Sequence, residues 1–472
     1  MSTFGALNTA YRGLTAAQQG LNVAGQNIAN AATEGYTRQR VQQSSIAAPP
    51  PGLFGSGRPE SGNGVSVDGI ARLGSSFLDA GVRSAGAQAG FASVRSSVLQ
   101  GIEGILQEPG DNGISASLQT FWSAWQGAAN QPGETAPAGQ LLQAGNELTA
   151  KISSGYQSLT AQWSSVRGQA QDNVDAVNAA AAQVAAYNAT IRSTTAAGGS
   201  ANELIDARAK LTETISRLTG GTVREQADGT VDIHVGGNAL VMGTSVRALA
   251  LSGTQSGDSL GSSVQLEWAD RPGQAVPVTD GEIAGALSVL APANSNGTGG
   301  AIAEAAASYN TFAGNLRDAV NALHNGAQTS TGAVAGDFFS PASGMPAALS
   351  LAVLPQDASA IGIGAGAGKL DNSVADKISQ LGTGPGSPDS LWAGVVTGIG
   401  VQSRGAQQHE SLTTASESAA LANRASSASV SLDEENVSLL TNQHAYQAAA
   451  RVMTAVDEAL DVLINHTGLV GR

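Results

Sequence analysis

The apolar residues near the amino terminus follow a seven-residue repeat. A leucine or isoleucine recurs at every seventh position, and an alanine stands three residues after each leucine. The repeat comprises Leu7, Leu14, Leu21 and Ile28, with Ala10, Ala17 and Ala24. This spacing predicts a helix with an a/d stripe, and alanine at d lets a second helix approach closely. Because glycines interrupt the run and each costs up to about 1 kcal/mol against alanine, we expect the helix to need a partner.

The carboxyl-terminal segment carries a matching repeat. Its a-type positions are Leu432, Leu439, Tyr446, Met453 and Leu460, and its d-type positions are Ala449, Val456 and Leu463. Ser431 and Glu434 have the spacing of a capping box, which predicts a helix start, and Gly468 predicts the helix end. Neither terminal helix could bury its stripe alone. We therefore expect the two helices to pair as a coiled coil and to bury their remaining faces against other copies of the chain.

The period of the pattern changes between these two ends. Residues 75–218 keep helical spacing, whereas short alternating runs follow residue 220 and are separated by Asp228-Gly229 and a Gly-Gly pair. An Asp-Gly pair between such runs is a hairpin signal. Helical spacing returns at 302–323 and again from about residue 404 to the end. The predicted fold is therefore mainly α and multi-domain, with an inserted β domain and a discontinuous chain path.

Three domains are expected from this pattern. Residues 1–45 and 430–472 are predicted to form the terminal coiled coil, and residues 219–300 the inserted β domain. Residues 46–218 and 301–429 are predicted to form a mainly helical domain, in which 331–400 is a mixed segment rich in glycine and proline.

Composition narrows the classes of function. The chain has 472 residues, a net charge of −14 and no cysteine. An acidic surface repels phosphate, which argues against nucleic acid and anionic membranes as partners. Without cysteine there is no disulfide framework and no thiolate metal site. The sequence has no apolar run long enough to span a membrane and no Sec-type signal at its start, so export would have to use another route.

No motif for catalysis or cofactor binding is evident. The five histidines lack partners at metal-ligand spacing. The stretch IGIGAGAGKL at 361–370 fails as a phosphate loop, because Ile363 stands where the first glycine belongs and Leu370 where serine or threonine belongs. No GxSxG nucleophile motif occurs. We therefore expect a protein that is not an enzyme and that holds no metal or cofactor.

The stretch that follows the first helix resembles a known family. Asn27, Asn30, Thr33, Gly35 and Tyr36, followed by Arg38 and Gln39, resemble the amino-terminal signature of the flagellar rod, hook and hook-associated proteins. The last helix, with Gln443, Ala445, Tyr446, Gln447 and Ala450, looks like the matching family carboxyl terminus. The resemblance implies that the terminal helices pair to line an axial tube. It also implies that Asn30 and Gly35 end the first helix and turn the chain outward.

Internal blocks resemble the junction proteins of this family. Residues 320–326 with 336–339, residues 113–126, residues 370–381 and the ending 467–472 are similar to blocks of the junction protein on the hook side. Two departures stand out. The family usually has an arginine within the stretch that is 134–140 here, so any ion pair of that arginine is in doubt. One β insertion is evident, which suggests fewer outer domains than in longer relatives.

The resemblance implies a structural role outside the cell. The chain would leave through the flagellar type III export channel and form a homo-oligomeric ring between hook and filament. Its partners would be the hook protein, a second junction protein on the filament side, and an export chaperone at the carboxyl-terminal helix. The assembly seam is expected at Leu7, Leu14, Leu21, Ile28, Leu439, Tyr446, Met453, Val456, Leu460 and Leu463.

Three alternatives stay open at this point. One is another axial protein, hook or distal rod, although the block at 320–339 argues against it. A second is a surface adhesin that uses the β insertion. A third is a glycan hydrolase carried on the flagellum, which would need two positioned carboxylates in a cleft, and the sequence offers no clear pair.

Overall fold

The computed structural model describes residues 3–47, 62–254, 260–366 and 371–466. The helices are α1 (Thr3–Ala29), α2 (Ser76–Leu106), α3 (Ile114–Asn130), α4 (Thr135–Ala196), α5 (Asn202–Thr219), α6 (Gly281–Leu290), α7 (Ala301–His324), α8 (Ala347–Ser350), α9 (Ser373–Ser379), α10 (Pro388–Ala428) and α11 (Leu432–Asp461). The strands are β1 (Gln39–Ser45), β2 (Val65–Arg72), β3 (Thr222–Glu225), β4 (Val231–Val235), β5 (Asn238–Met242), β6 (Ser245–Val246), β7 (Leu249–Ser252), β8 (Gln265–Trp268), β9 (Arg271–Ala275), β10 (Gln328–Thr329) and β11 (Gly362–Gly364).

The two terminal helices pack against each other in antiparallel directions, as the heptad stripes predicted. Residues 13, 20 and 27 of α1 face residues 449, 442 and 435 of α11 in turn. The contact is close because α1 presents glycine. A Cβ added at Gly20 would lie 2.4 Å from Asn442 Oδ1, so a larger residue there would force that side chain to move. The predicted pairing of the chain ends is confirmed.

The start of α11 matches the predicted capping position. The Ser431 hydroxyl accepts a hydrogen bond from the Glu434 backbone N–H at 3.5 Å. The Glu434 side chain does not complete a capping box, because it pairs with Arg38 instead. A π-helical turn, Val462–His466, continues α11. The predicted stop at Gly468, like the similar ending at 467–472, lies outside the described residues.

A hairpin that the sequence did not predict follows α1. Strands β1 and β2 pair antiparallel, with Gln39 opposite Arg72 and Ser45 opposite Val65. The hairpin lies along α1, since a Cβ added at Gly64 would stand 3.2 Å from Thr9 Cγ2. Strand β1 reads QRVQQSS and is mostly exposed, so its sequence lacks the apolar alternation that identifies a half-buried strand.

The largest core lies among α2, α3, α4, α7, α9 and α10. Trp125, Trp163 and Trp392 are fully buried in it, together with Phe121 and Phe338. Helix α10 begins at Pro388, well before the predicted position near 404, and Ser387 caps it by accepting from the Ser390 backbone N–H at 3.1 Å. The earlier start brings Trp392 into the core.

The block at 320–339, which carried the resemblance, is part of this core. The Asn321 side chain accepts from the backbone N–H groups of Phe338 and Phe339 and donates to the Phe339 carbonyl. His324 is fully buried, with Nδ1 donating to the Gly336 carbonyl and Nε2 accepting from the Gly362 N–H. Burial lowers the pKa of His324, and a ring that accepts at Nε2 while it donates at Nδ1 is neutral. Hydrogen bonds from these two side chains, and not a helix or a strand, fix the backbone of this irregular loop.

Strands β3 to β9 form two antiparallel sheets, β3-β4-β5-β6 and β7-β8-β9, and β10 pairs with β11 elsewhere. They share a second core with α4, α5 and α6, in which Val174, Ile215 and Ile283 pack with Ile233 and Leu266. Helix α6 was not predicted and lies inside the expected β domain, 219–300. The three-domain division itself stays a prediction.

Candidate assembly site

The predicted seam residues lie on the terminal pair and are only half covered. Those on α1 are Leu7, Leu14, Leu21 and Ile28, and those on α11 are Leu439, Met453, Val456 and Leu460; all eight are half-buried. Tyr446 is 37 % exposed, and the side chain of Leu463 lies outside the described residues. The fully buried apolar positions of α1 are instead Ala10, Ala16, Ala17, Val23 and Ala24. The larger side chains therefore flank the closest helix contact.

Helix α11 carries a second apolar stripe that sequence reasoning missed. Val437, Leu440, Val452 and Val462 are each about half exposed or more, with Val437 at 65 %. At 3.6 residues per turn they fall on the side of α11 away from the residues that face α1. The signal was present in the sequence as a further set of apolar residues at helical spacing. The heptad predicted for the face toward α1 did not include these residues.

The first helix ends where the family signature predicted. Asn30 donates from its backbone and its side chain to the Gln26 carbonyl, and the Thr33 N–H returns to the Asn30 carbonyl. Gly35 then adopts a φ of +83°, a left-handed conformation that glycine takes without a steric penalty. The chain thereby leaves the axis of α1 within a few residues and enters β1.

Asn27, the first residue of that signature, joins three elements through one side chain. It is 1 % exposed. Its Nδ2 donates to the Gln39 carbonyl at 2.9 Å and to Glu435 Oε2 at 3.0 Å. Its Oδ1 accepts from the Gln39 N–H at 3.0 Å and from the Tyr36 hydroxyl at 2.9 Å. The amide thus pairs with both backbone groups of Gln39, as a neighbouring strand would.

We name residues 36–39 the strap, because together they contact α1, α5, α10 and α11. The Arg38 side chain donates from Nε to Glu435 Oε1 at 2.7 Å and from a terminal nitrogen to Glu434 Oε2 at 2.5 Å. The Arg38 backbone N–H donates to the carbonyl of Ala428, the last residue of α10, at 3.0 Å. Arg38 therefore connects the end of α10 to the start of α11.

The other strap residues contact the body of the protein, by which we mean the part outside the α1–α11 pair. The Thr37 N–H donates to Asp206 Oδ2 on α5 at 3.0 Å, and Arg72 Nε donates to Asp206 Oδ1 at 2.5 Å. The Gln39 side chain accepts from Asn202 at 3.1 Å and donates to Glu203 at 3.2 Å. Asp79 at the start of α2 lies between Arg72 and Arg424, and Arg424 also pairs with Glu213.

The electrostatic surroundings keep the Tyr36 hydroxyl protonated. Burial, with the carboxylates of Glu203, Asp206 and Glu435, raises the pKa of Tyr36 to about 12. The hydroxyl therefore remains a donor to Asn27 throughout the neutral range.

The described residues hold no cluster of three or more histidine, aspartate or glutamate side chains suited to a metal. Within the described part of the chain, no helix is long and apolar enough to cross a bilayer. The contacts of the strap connect α1, α5, α10 and α11, and such contacts can hold these helices at fixed angles to one another.

Comparison with known families addresses the identity of the chain. The model of the flagellar hook-associated protein FlgK helical domain matches residues 99–339, which is more than half of the 472 residues. The chain belongs to this FlgK family. Two shorter models match the ends: the flagella basal body rod protein over residues 7–37 and the flagellar basal body rod FlgEFG protein C-terminal over residues 423–465. The first span contains most of α1 with its turn, and the second contains all of α11.

Curated relatives agree with the family. Flagellar hook-associated protein 1 of Bacillus subtilis is 28 % identical over 508 aligned positions that span both chains completely. The proteins of the same name from Escherichia coli and Salmonella typhimurium are 30 % and 31 % identical over 247 positions, covering 52 % of this chain and 44 % of theirs. The flagellar hook junction protein FlgK from Burkholderia pseudomallei superposes with a TM-score of 0.47 at 22 % identity, covering 57 % of this chain and 47 % of that one.

The family membership confirms the resemblance read from the sequence. Members of the FlgK family are structural flagellar proteins and not enzymes. The chain is a structural component of the bacterial flagellum, which lies outside the cell.

Proposed function

We propose that this chain forms the junction layer between hook and filament, as a ring of identical copies. In this proposal the α1–α11 pair lies in the axial core, and the helical body with its β sheets faces outward. The three predicted domains correspond to these parts. The observation that carries the proposal is the terminal pair itself. It coincides with the two spans that match rod-protein models, and its large apolar side chains are left half covered.

Partly exposed apolar stripes on both terminal helices support stacking of copies. Leu14 and Leu21 flank the α1–α11 contact on one helix, and Met453 and Leu460 flank it on the other. Surface of this kind is expected to be covered in the functional state, because burying apolar area is favourable by about 25 cal/mol per Å². We take the ten seam residues named from the sequence as the contacts between copies, with the hook protein on one side of the ring and a second junction protein on the other.

Electron microscopy of cells that lack this gene tests the proposal. We expect hooks without filaments, with filament protein shed into the medium, because filament subunits would have no layer to build on. Re-expression of the intact chain should restore filaments. Normal filaments in the deletion strain would exclude a junction role. Absence of hooks would assign the chain to the rod or hook instead.

We also propose that an export chaperone binds α11 before assembly. The exposed stripe of Val437, Leu440 and Val452 suits an amphipathic helix laid into an apolar groove, which is a common mode of recognition. A chain that ends at residue 431 should lose binding to the flagellar export chaperone of the same organism in size-exclusion chromatography. Val437→Asp with Leu440→Asp should weaken binding in the full chain, whereas Gln443→Glu, an exposed polar position, should not. Undiminished binding by the truncated chain would remove the proposal.

A further inference from the structure

We infer that Arg38 and Glu435 are positioning residues within one copy of the chain. Together with the other strap residues they fix the angle between the terminal helix pair and the body while α11 is docked on α1. This inference concerns the geometry of one copy, so it does not depend on whether the ring lies between hook and filament.

The first ground is the density of connections over four consecutive residues. Tyr36 bonds to α1, Thr37 to α5, and Gln39 to both α1 and α5. Arg38 bonds to the end of α10 through its backbone and to α11 through its side chain. Because each peptide unit is planar and rigid, tilting one helix relative to another would break hydrogen bonds at neighbouring residues. A segment tied in this way is a poor hinge.

The second ground is the burial of Glu435. Among the described residues of α11 it is the one buried side chain, at 3 % exposure. Its two carboxylate oxygens accept from Arg38 Nε and from Asn27 Nδ2. If α11 leaves α1, both donors lose that acceptor. A buried ion pair contributes little net stability, yet removing one partner is costly, and its best-supported benefit is a single defined arrangement.

The third ground is the path from α11 into the body. Arg38 and Thr37 are adjacent, and Thr37 is held by Asp206, which also accepts from Arg72. Arg72 approaches Asp79 of α2 at 3.7 Å. A change at Glu435 therefore reaches α5 through the Arg38–Thr37 backbone and the charge-assisted hydrogen bonds of Asp206, which are stronger than neutral ones, and reaches α2 through the Arg72–Asp79 ion pair.

A rival account assigns the angle to chain connectivity alone. Only residues 429–431 separate α10 from α11, and the backbone of Ser429 and Ser431 is extended. So short a connection limits how far the start of α11 can move from the end of α10. It does not restrain rotation of the helix pair about that point, whereas the bonds of Glu435 do. The two accounts differ in what removal of the carboxylate should do.

Pulsed dipolar spectroscopy on the full chain separates the two accounts. The chain has no cysteine, so Gln18→Cys with Thr214→Cys introduces spin labels at two exposed sites only. Each labelled residue lies, along its own helix, within about 14 Å of the residue that binds the strap (Asn27 on α1, Asp206 on α5), at 1.5 Å per residue. We call the strap and these partners the joint. We expect one narrow distance distribution in the otherwise unchanged chain. Glu435→Ala and Arg38→Ala should each broaden it, with loss of the single sharp maximum.

Glu434→Ala is the matched control. Glu434 contacts the same arginine, but its side chain is 62 % exposed, and its removal leaves the Arg38–Glu435 pair in place. The distribution should therefore stay narrow. A second labelled pair, Gln18→Cys with Gln443→Cys, reports whether α11 still lies beside α1. Broadening of the first distance in Arg38→Ala, while the second pair remains close, supports positioning by the strap.

Two results would overturn the inference. A broad distribution in the otherwise unchanged chain would make the joint a hinge. A distribution for Glu435→Ala and Arg38→Ala as narrow as the control would assign the angle to the connection at 429–431. Tryptophan fluorescence verifies the fold of each variant, because all five tryptophans lie between residues 122 and 392, in the body. Since neither readout involves flagella, failure here leaves the proposed junction role standing.

Discussion

A chain carrying Leu14→Asp should fold and yet fail to enter flagella. Leu14 is half-buried beside the α1–α11 contact, so a single copy can hydrate a carboxylate there. In the proposed ring, the same carboxylate would have to be buried against a neighbouring copy without a counter-ion, which costs several kcal/mol per ion. Because every copy carries the change, the cost recurs around the whole layer. Leu460→Asp on the partner helix should behave in the same way.

Complementation of the deletion strain provides the measurement. Isolated flagella, culture medium and cells are each blotted for the protein, and motility is scored. Asn22→Asp is the matched control, since Asn22 is exposed on the same helix and gains the same charge. We expect the aspartate variants to be absent from flagella while the control assembles. Tryptophan fluorescence of the purified variants should match the unchanged chain. If flagella contain the Leu14→Asp variant in wild-type amounts, the hypothesis that the seam residues form the contacts between copies is wrong.

The terminal helices could be predicted because their signal is local and periodic. A leucine at every seventh position needs no knowledge of distant residues to be read as a helix with one apolar stripe. The repeat does not show which face of each helix contacts the other helix. The stripe on α1 was assigned to the large side chains, whereas the closest contact in the structure uses Gly20 and its neighbours. Small residues give a weak hydrophobic signal even where they decide how near two helices come.

The strap lay within the recognised signature, but its partners were invisible in the sequence. Arg38 bonds to residues about four hundred positions away, and Thr37 to one on α5. Polar contacts between distant segments leave no periodicity, so no window of sequence contains them. Strand β1 escaped prediction for a related reason. Its polar residues pair with β2 and with the Asn27 amide, and none of this depends on an apolar face.

Helix α10 shows tertiary packing overriding local preference. The start of α10 contains Gly394, Gly398 and Gly400, each unfavourable in a helix by up to about 1 kcal/mol, and this led to the prediction of a mixed segment. The structure is helical there because Trp392 is buried on the body side. A capping serine and a proline in the first turn also fix the start of the helix.

Trp392→Ala should therefore be among the most destabilising single changes in the body, by about 3–5 kcal/mol. The indole is fully buried, with its ring centroid 5.0 Å from Tyr309 and 5.1 Å from Phe312. Its Nε1–H donates to Glu108 Oε1 at 3.0 Å. Truncation leaves a cavity between α7 and α10 and removes a donor from a carboxylate.

The adjacent residue supplies the control for this prediction. Leu391 lies on the same turn of α10 but is 37 % exposed, so Leu391→Ala should cost less than about 1 kcal/mol. Urea unfolding followed by circular dichroism at a helical wavelength compares the two variants without relying on the lost fluorophore. A free energy of unfolding for Trp392→Ala equal to that of Leu391→Ala would mean that α10 is not held to the body by Trp392. The early start of the helix would then need another cause, of which Ser387 and Pro388 would be the first to test.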